Sequence, residues 1–324
     1  MRDIDNLLTS SKNLNKKNNK RTKSFGYQVL GFGSGGSTVD PVDFDYLVLA
    51  GGGAGNYGLG GGGGGGGHRS SFPGGTKITV DSAETTITIG AGGTAATPGS
   101  APTVPGSKGV NSSIGAYIVS TGGGAANTAQ GFPAVPNTDP TNTAIRDGGS
   151  GAGQQHQQTA NTGLGNTPPF SPSQGNPGGP GGGSYAASGG GGAGSAGNNG
   201  TTPGNPTNGA GPGGSGVANS ITGSSVTRAG GGGGGAYGGP GSSGGSGGGG
   251  GSGTAGTDGL GGGGGGEPSP GGASFSHGGD GIVFLRVPTA LSPATLAVAP
   301  GSNTITTVGS DQVLTFNVTG TLTI

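Results

Sequence analysis

The sequence predicts a mostly β protein with much irregular structure, in which short β-strands cap a glycine-rich domain of packed polyglycine-II (polyproline-II-like) helices and almost no α-helix forms. Three observations lead there. Of the 324 residues 90 are glycine, and 82 of these lie between positions 51 and 281. Leu, Ile, Val and Phe number only 14, 11, 17 and 9, so a side-chain core cannot span the chain. Short apolar runs alternating in period two gather at the two ends of the glycine-rich region. The chain therefore reads as a basic extended arm (1–24), first β-strands (25–50), a glycine-rich domain with variable loops (51–281) and C-terminal β-strands (282–324).

Charge follows the same divisions. Formal charge is zero overall, with 13 basic and 13 acidic residues, yet the arm carries Arg2, Lys12, Lys16, Lys17, Lys20, Arg21 and Lys23 against Asp3 and Asp5. Such an arm suits docking on an acidic protein surface, or is a solvated tail. No aromatic residue precedes Phe25 to stack on bases, and no nucleic-acid partner is expected.

Strands are placed in order by pattern. FGYQVLGFGSGG (25–36) is a short strand with glycine punctuation, and DFDYLVLA (43–50) an apolar one. TKITV (76–80) and TTITIG (85–90) alternate in period two, and the intervening DSAE reads as the turn of a hairpin. AYIVS (116–120), SSVTRAGGG near 226 and GIVFLRV (281–287) come next, and DQVLTFNVTGTLTI ends the chain.

Glycine runs fill the intervals. YLVLAGGGAGNYG (46–58) matches the dinucleotide pattern Gly53-x-Gly55-x-x-Gly58, but the fingerprint needs a helix next, whose N-terminus holds the pyrophosphate. The chain instead continues through GLGGGGGGGGHRSSFPGG, where each glycine costs a helix about 0.8–1 kcal/mol relative to alanine. A nucleotide site is rejected. Such runs are either flexible linkers or extended threefold helices whose outward N–H and C=O groups bond neighbouring backbones, which glycine alone allows to approach closely. Ordering costs about 1–2 kcal/mol per residue and a hydrogen bond returns a net of about 0.5–1.5, so only a cooperative lattice capped by strands would hold. Strands at both ends favour the lattice.

The chain has no cysteine, which removes disulfides, thiolate metal sites and cysteine nucleophiles. The N-terminus lacks an apolar h-region, and no stretch approaches the ~18 apolar residues of a membrane span. His68, His156 and His277 lack metal-ligand spacing and read as surface loop residues. Asp43 and Asp45 flank Phe44 as a cation pair or as solvent-facing residues, and Asp258 and Asp280 suit turn caps. No catalytic constellation, cofactor or metal is expected.

YLVLAGGGAGNYGLGGGGGGGGHRSS, TTITIGAGG and GGDGIVFLRVP, in that order over residues 44 to 288, resemble the glycine-rich domain of bacteriophage tail fibres and tail-tip adhesins. That resemblance implies a sandwich of polyglycine-II helices whose variable connecting loops contact the host surface. One departure is that a strand like the C-terminal DQVLTFNVTGTLTI often precedes the first hydrophobic strand in that family. Here it could close the sheet within the chain, pair with a neighbouring subunit, or begin a separate module.

The expected function is that of a non-enzymatic virion surface protein, tail-fibre or adhesin-like, anchored through its arm to other tail or capsid proteins. Loops 127–147, 154–177 and 197–226 would meet host carbohydrate or an outer-membrane protein, through the sizeable side chains in or near them, Phe132, Arg146, His156, Phe170, Tyr185 and Tyr237. Rings stack on sugar faces and amides bond hydroxyls, although the same aromatics could plug a small core. A capsid decoration or head fibre is the alternative, then a glycine-rich antifreeze or matrix protein, and homo-oligomerisation is left open.

Overall fold

The computed structural model describes residues 39–95, 106–126, 143–156, 162–181, 185–201, 209–239, 241–269 and 276–324, all but the first two within the unit Pro41–Ile324. Among them the expected class is found: antiparallel strands, extended glycine segments, and one four-residue helix, α1 (Thr143–Arg146). The strand expected over 25–36 lies outside the described residues.

One sheet has the order β11-β12-β9-β1-β2, where β1 is Val42–Leu49, β2 His68–Ser70, β9 Ile282–Pro288, β11 Thr304–Val308 and β12 Asp311–Phe316. β3 (Ile78–Val80) pairs with the first half of β1. The second sheet has the order β10-β13-β4-β5-β6, from β4 (Glu84–Thr88), β5 (Ser112–Ile114), β6 (Ile118–Ser120), β10 (Ala297–Ala299) and β13 (Gly320–Thr323). β7 (Val217–Asn219) and β8 (Val226–Arg228) form a separate hairpin.

The hairpin expected between 76–80 and 85–90 does not exist. Both segments are strands, but β3 pairs with β1 and β4 with β13 and β5, so Asp81–Ala83 carries the chain from one sheet to the other. The C-terminal strands pair within the chain. β12 joins β9 in register Phe316↔Val283 through Asp311↔Pro288, and β13 joins β4.

The core arises from strand alternation, which puts residues i and i+2 on one face. Leu47 and Leu49 pair with Phe284 and Ile282 and pack, with Val313, against Ile221 and Ala229 around the β7–β8 hairpin. Residues of opposite parity, Phe44, Tyr46 and Val48 with Val283 and Leu285, are also buried, and β5 and β6 lie against β1. The β1–β9 pair is thus covered on both faces, which accounts for its continuous apolar sequence.

Between the strands the glycine segments bond one another with a period of three. Gly62 and Gly65 donate to Ser188 and Gly191, Gly63 and Gly66 to Gly264 and Gly261, and Gly64 and Gly67 to Gly124 and Thr121, at 2.8–3.1 Å. Carbonyls of the same run accept in pairs from Ala50 and Gly53, from Ser150 and Gly153, and from Gly232 and Gly235. Residues 60–67 therefore sit among six neighbouring segments within the described residues. Residues 230–235 repeat the rule, donating in pairs to Gly247 and Gly250, to Gly214 and Gly211, and to Gly63 and Gly60.

Such packing dictates the composition. A methyl group at Gly62 would overlap the Gly232 carbonyl, at Gly63 that of Gly53, and at Gly64 that of Ser150. Gly53 and Gly55, the first two glycines of the dinucleotide-like pattern, are held in the same way by Gly124 and Gly265, while Gly58 (φ +59°) makes the turn that sends the chain back. No helix comes after that turn.

The register gives the domain two different ends. Leu49, His68 and Ile282, the strand residues that adjoin glycine segments, lie opposite one another in the first sheet. Thr88 with Ser113, Ser112 with Ser120, and Val217 with Arg228 do the same in the other sheets. Strands therefore cap one end of the lattice.

Candidate functional site

The chain reverses at both ends: the reversals at 193–195, 246–248 and 258–261 lie at the strand end, and others lie at the opposite end. The turn at 57–59 tops the first segments; Glu267 donates to Asn56 O, Gly60 to Glu267 O, and Gly235 to Gly60 O. At the same level Ala54 donates to Ser107 O, Gly55 to Ser276 O, Ala126 to Ala54 O, and Gly211 to Ala187 O. Residues 107, 126, 187, 211, 236, 267 and 276 lie at this level as well.

Two of the anticipated residues meet here. Tyr237 N donates to Tyr185 O at 3.0 Å, Tyr237 bridges to Ser269, Ala186 pairs with Ala236, and the two rings stand 5.7 Å apart and tilted by 48°. That spacing is favourable for an aromatic pair. Tyr185 is 36% exposed. Tyr57, on the turn, is equally exposed, and it lies outside the long, complex loops in which recognition residues were expected. An aromatic at the tip of a tight turn between glycine runs was the available signal.

Other anticipated residues are elsewhere. Phe170 is at the strand end, half-buried, with the Arg69 guanidinium 4.1 Å from its ring centroid. Arg69 also donates from Nη1 to Val119 O at 2.9 Å, and Gln174, in the same connection, bonds Thr121. Phe170 therefore pins a connection onto the second sheet. Phe132 and the basic residues of the arm, Arg2 to Lys23, lie outside the described residues.

Arg146 and His156 require correction as exposed recognition groups. Arg146 is 5% exposed and His156 fully buried, because their backbones belong to the lattice: Ala152 donates to Arg146 O, and His156 to Leu59 O. Burial lowers the pKa of each, opposed at Arg146 by the Asp147 carboxylate. His68 is half-buried and lies in β2 rather than in a loop. Its imidazole is pushed down to about 4, first by burial and then by the Arg228 charge. Only His277 of the three is exposed.

Acidic residues serve the scaffold. Asp45 accepts from Ser71 Oγ at 2.9 Å and lies 3.3 Å from Lys77 Nζ, and Asp43 accepts from Thr79 Oγ1. Asp258 accepts from Asp280 N and Asp280 from Gly92 N, the turn-capping role their glycine contexts indicate. Among the described residues no cluster of three or more His, Cys, Asp or Glu is placed to hold a metal, and no helix is long and apolar enough to cross a membrane.

This arrangement can present side chains on a stiff base at one end of a glycine lattice. A family model described as a glycine-rich domain matches residues 28–288, and the chain belongs to that family. The match stops at the end of β9, so β10 to β13 lie beyond it. No curated protein and no solved structure matches the chain.

Proposed function

We propose that this chain is a non-enzymatic structural protein of a bacteriophage virion, tail-fibre or adhesin-like, that displays the loop end of its lattice for host-cell attachment. The observation that carries the reading is that the sheets lie at one end only, which leaves the turn at 57–59 and the Tyr185–Tyr237 pair at the other end clear of them. Binding surfaces are commonly loops positioned by a rigid scaffold. We read the glycine segments as polyglycine-II helices, on the support of their threefold hydrogen-bond pattern.

Tyr57, Tyr185 and Tyr237 are the side chains we assign to recognition of a host carbohydrate or outer-membrane protein. Their rings offer flat apolar faces and a polar tip. The basic arm docks on acidic partner proteins of the virion. The test is electron microscopy of virions carrying the chain, labelled with an antibody against residues 127–147. Label on fibres or tail tip, with adsorption reduced at least tenfold by Tyr57→Ala combined with Tyr185→Ala, is the expected result. Label spread over the head would replace this reading with that of a capsid decoration or head fibre.

A further inference from the structure

The strands that end the two sheets are treated unequally. An outer strand presents unpaired N–H and C=O groups to any chain that can pair with them, and proteins cover, shorten or charge such edges. β2 and β6 are covered: His68 N donates to Gln174 O, and Arg69 Nη1 donates to Val119 O at 2.9 Å. β3 and β10 are three residues long, and β10 runs into Pro300. β11 has five residues, pairs only with β12, and contains neither a charge nor a proline.

Register identifies the open groups. The two-residue turn at 309–310 closes the hairpin on the Val308↔Asp311 pair, and bonded pairs alternate along an antiparallel ladder. Val308, Thr306 and Thr304 therefore bond β12, while Ile305 and Thr307 aim their N–H and C=O groups outward. Among the described residues no backbone group meets them. The flanking sequence is neutral as well. No charged residue occurs from Val287 to Ser310, and Arg286 and Asp311 on either side neutralise each other at 2.8 Å. Leu291, 68% exposed, lies by the turn end of β11, where Thr289 N donates to Ser310 O. Val318, 40% exposed, lies by the other end, where its N donates to Asn303 Oδ1.

We propose that β11 is a dimer interface, pairing antiparallel with β11 of a second copy of this chain about a twofold axis at Thr306. A strand can pair antiparallel with its own copy, so one edge supplies both sides of an isologous contact. Ile305 then exchanges both of its outward bonds with Thr307 of the partner subunit, and the axis repeats the pair. Two uncharged edges meet without repulsion, whereas an acidic or basic partner would find no counter-charge. Antiparallel pairing also brings the Leu291 end of each copy to the Val318 end of the other. Dimerisation through β11 is independent of what the loop end binds.

Sedimentation of the full-length chain at micromolar concentrations should give a dimer. Thr307→Pro removes one outward N–H without touching the β12 ladder and should raise the dissociation constant at least tenfold. Thr306→Lys, which sets two like charges opposite each other at the axis, serves if that variant fails to fold. Because the chain has no cysteine, Thr306→Cys places a single thiol at the axis. Mild oxidation should link it into a covalent dimer with at least ten times the yield of Val110→Cys, an exposed position on another segment. A monomer, an assembly that Thr307→Pro and Thr306→Lys both leave intact, or equal cross-linking at 110 and 306 would each overturn the proposal. Slow amide exchange at Ile305 and Thr307 in a monomer would assign the edge to another stretch of the same chain.

Discussion

At the scale of single residues, the glycines differ in what they do, and substitution should reveal it. Gly63 lies inside the lattice, where a methyl group would overlap the Gly53 carbonyl. Gly301 has nothing within 4 Å of that position. Gly63→Ala should destabilise by roughly 3 kcal/mol, the upper range for overpacking a dense interior. Gly301→Ala should be neutral or stabilise by up to about 1 kcal/mol, since alanine has fewer unfolded conformations to lose. Chemical denaturation of the two variants beside the parent gives both numbers, and equal losses would mean that backbone packing does not determine where glycine is needed.

Histidine gives a second prediction at this scale. The folded-state pKa of His68 is lowered to about 4 from an ordinary value near 6.5. In the window between these values the unfolded chain binds more protons, so the contribution is fully present above about 6.5 and is lost as the pH falls toward 4. Denaturation midpoints should drop across that window, and His68→Asn should flatten the drop. A midpoint rising with acidification would contradict the burial that lowers this group.

Elements show what the sequence could and could not convey. β1, β9 and β12 were legible because apolar runs or alternation mark a buried strand, as in the YLVL of residues 46–49 and the IVFL of 282–285. Partner choice was not. Asp81–Ala83 is short enough for a hairpin, yet Val80 pairs with Val42 and Thr85 with Leu322, residues far away in the chain. Glycine runs carry even less register information, since Gly62, Gly63 and Gly64 are identical in type and bond three different segments. Tyr185 and Tyr237 were singled out from sequence, but nothing local signals that they adjoin, and the burial of Arg146 and His156 depends on lattice neighbours that no local pattern encodes.

The C-terminal strands supply the test at this scale. Residues 289–324 lie outside the family match but contribute Leu314, Phe316 and Leu322, all fully buried. Each such side chain is worth about 1.5–3 kcal/mol on burial, against a total stability of about 5–15 kcal/mol for a domain. Removing them also uncovers Val283 and Leu285 on β9. A chain ending at Pro288 should lose its cooperative unfolding transition and aggregate. A soluble, cooperatively folded truncation would mean that β10 to β13 are an appendage.

For the whole molecule, division of labour between a strand end and a loop end requires a stiff body between them. Hydrogen bonds at a net ~0.5–1.5 kcal/mol each do not alone offset ordering glycine at about 1–2 kcal/mol per residue or more. The lattice therefore depends on the apolar sheets that anchor its segments at Leu49, His68 and Ile282, and the two should unfold together. Amide hydrogen exchange of the native chain, monitored by mass spectrometry, tests this most directly. Residues 60–67 and 230–235 should exchange as slowly as β1 and β9, in one cooperative unfolding event. Exchange of these glycine amides within seconds, while the strands stay protected, would show the segments to be linkers and leave the loop end without a platform.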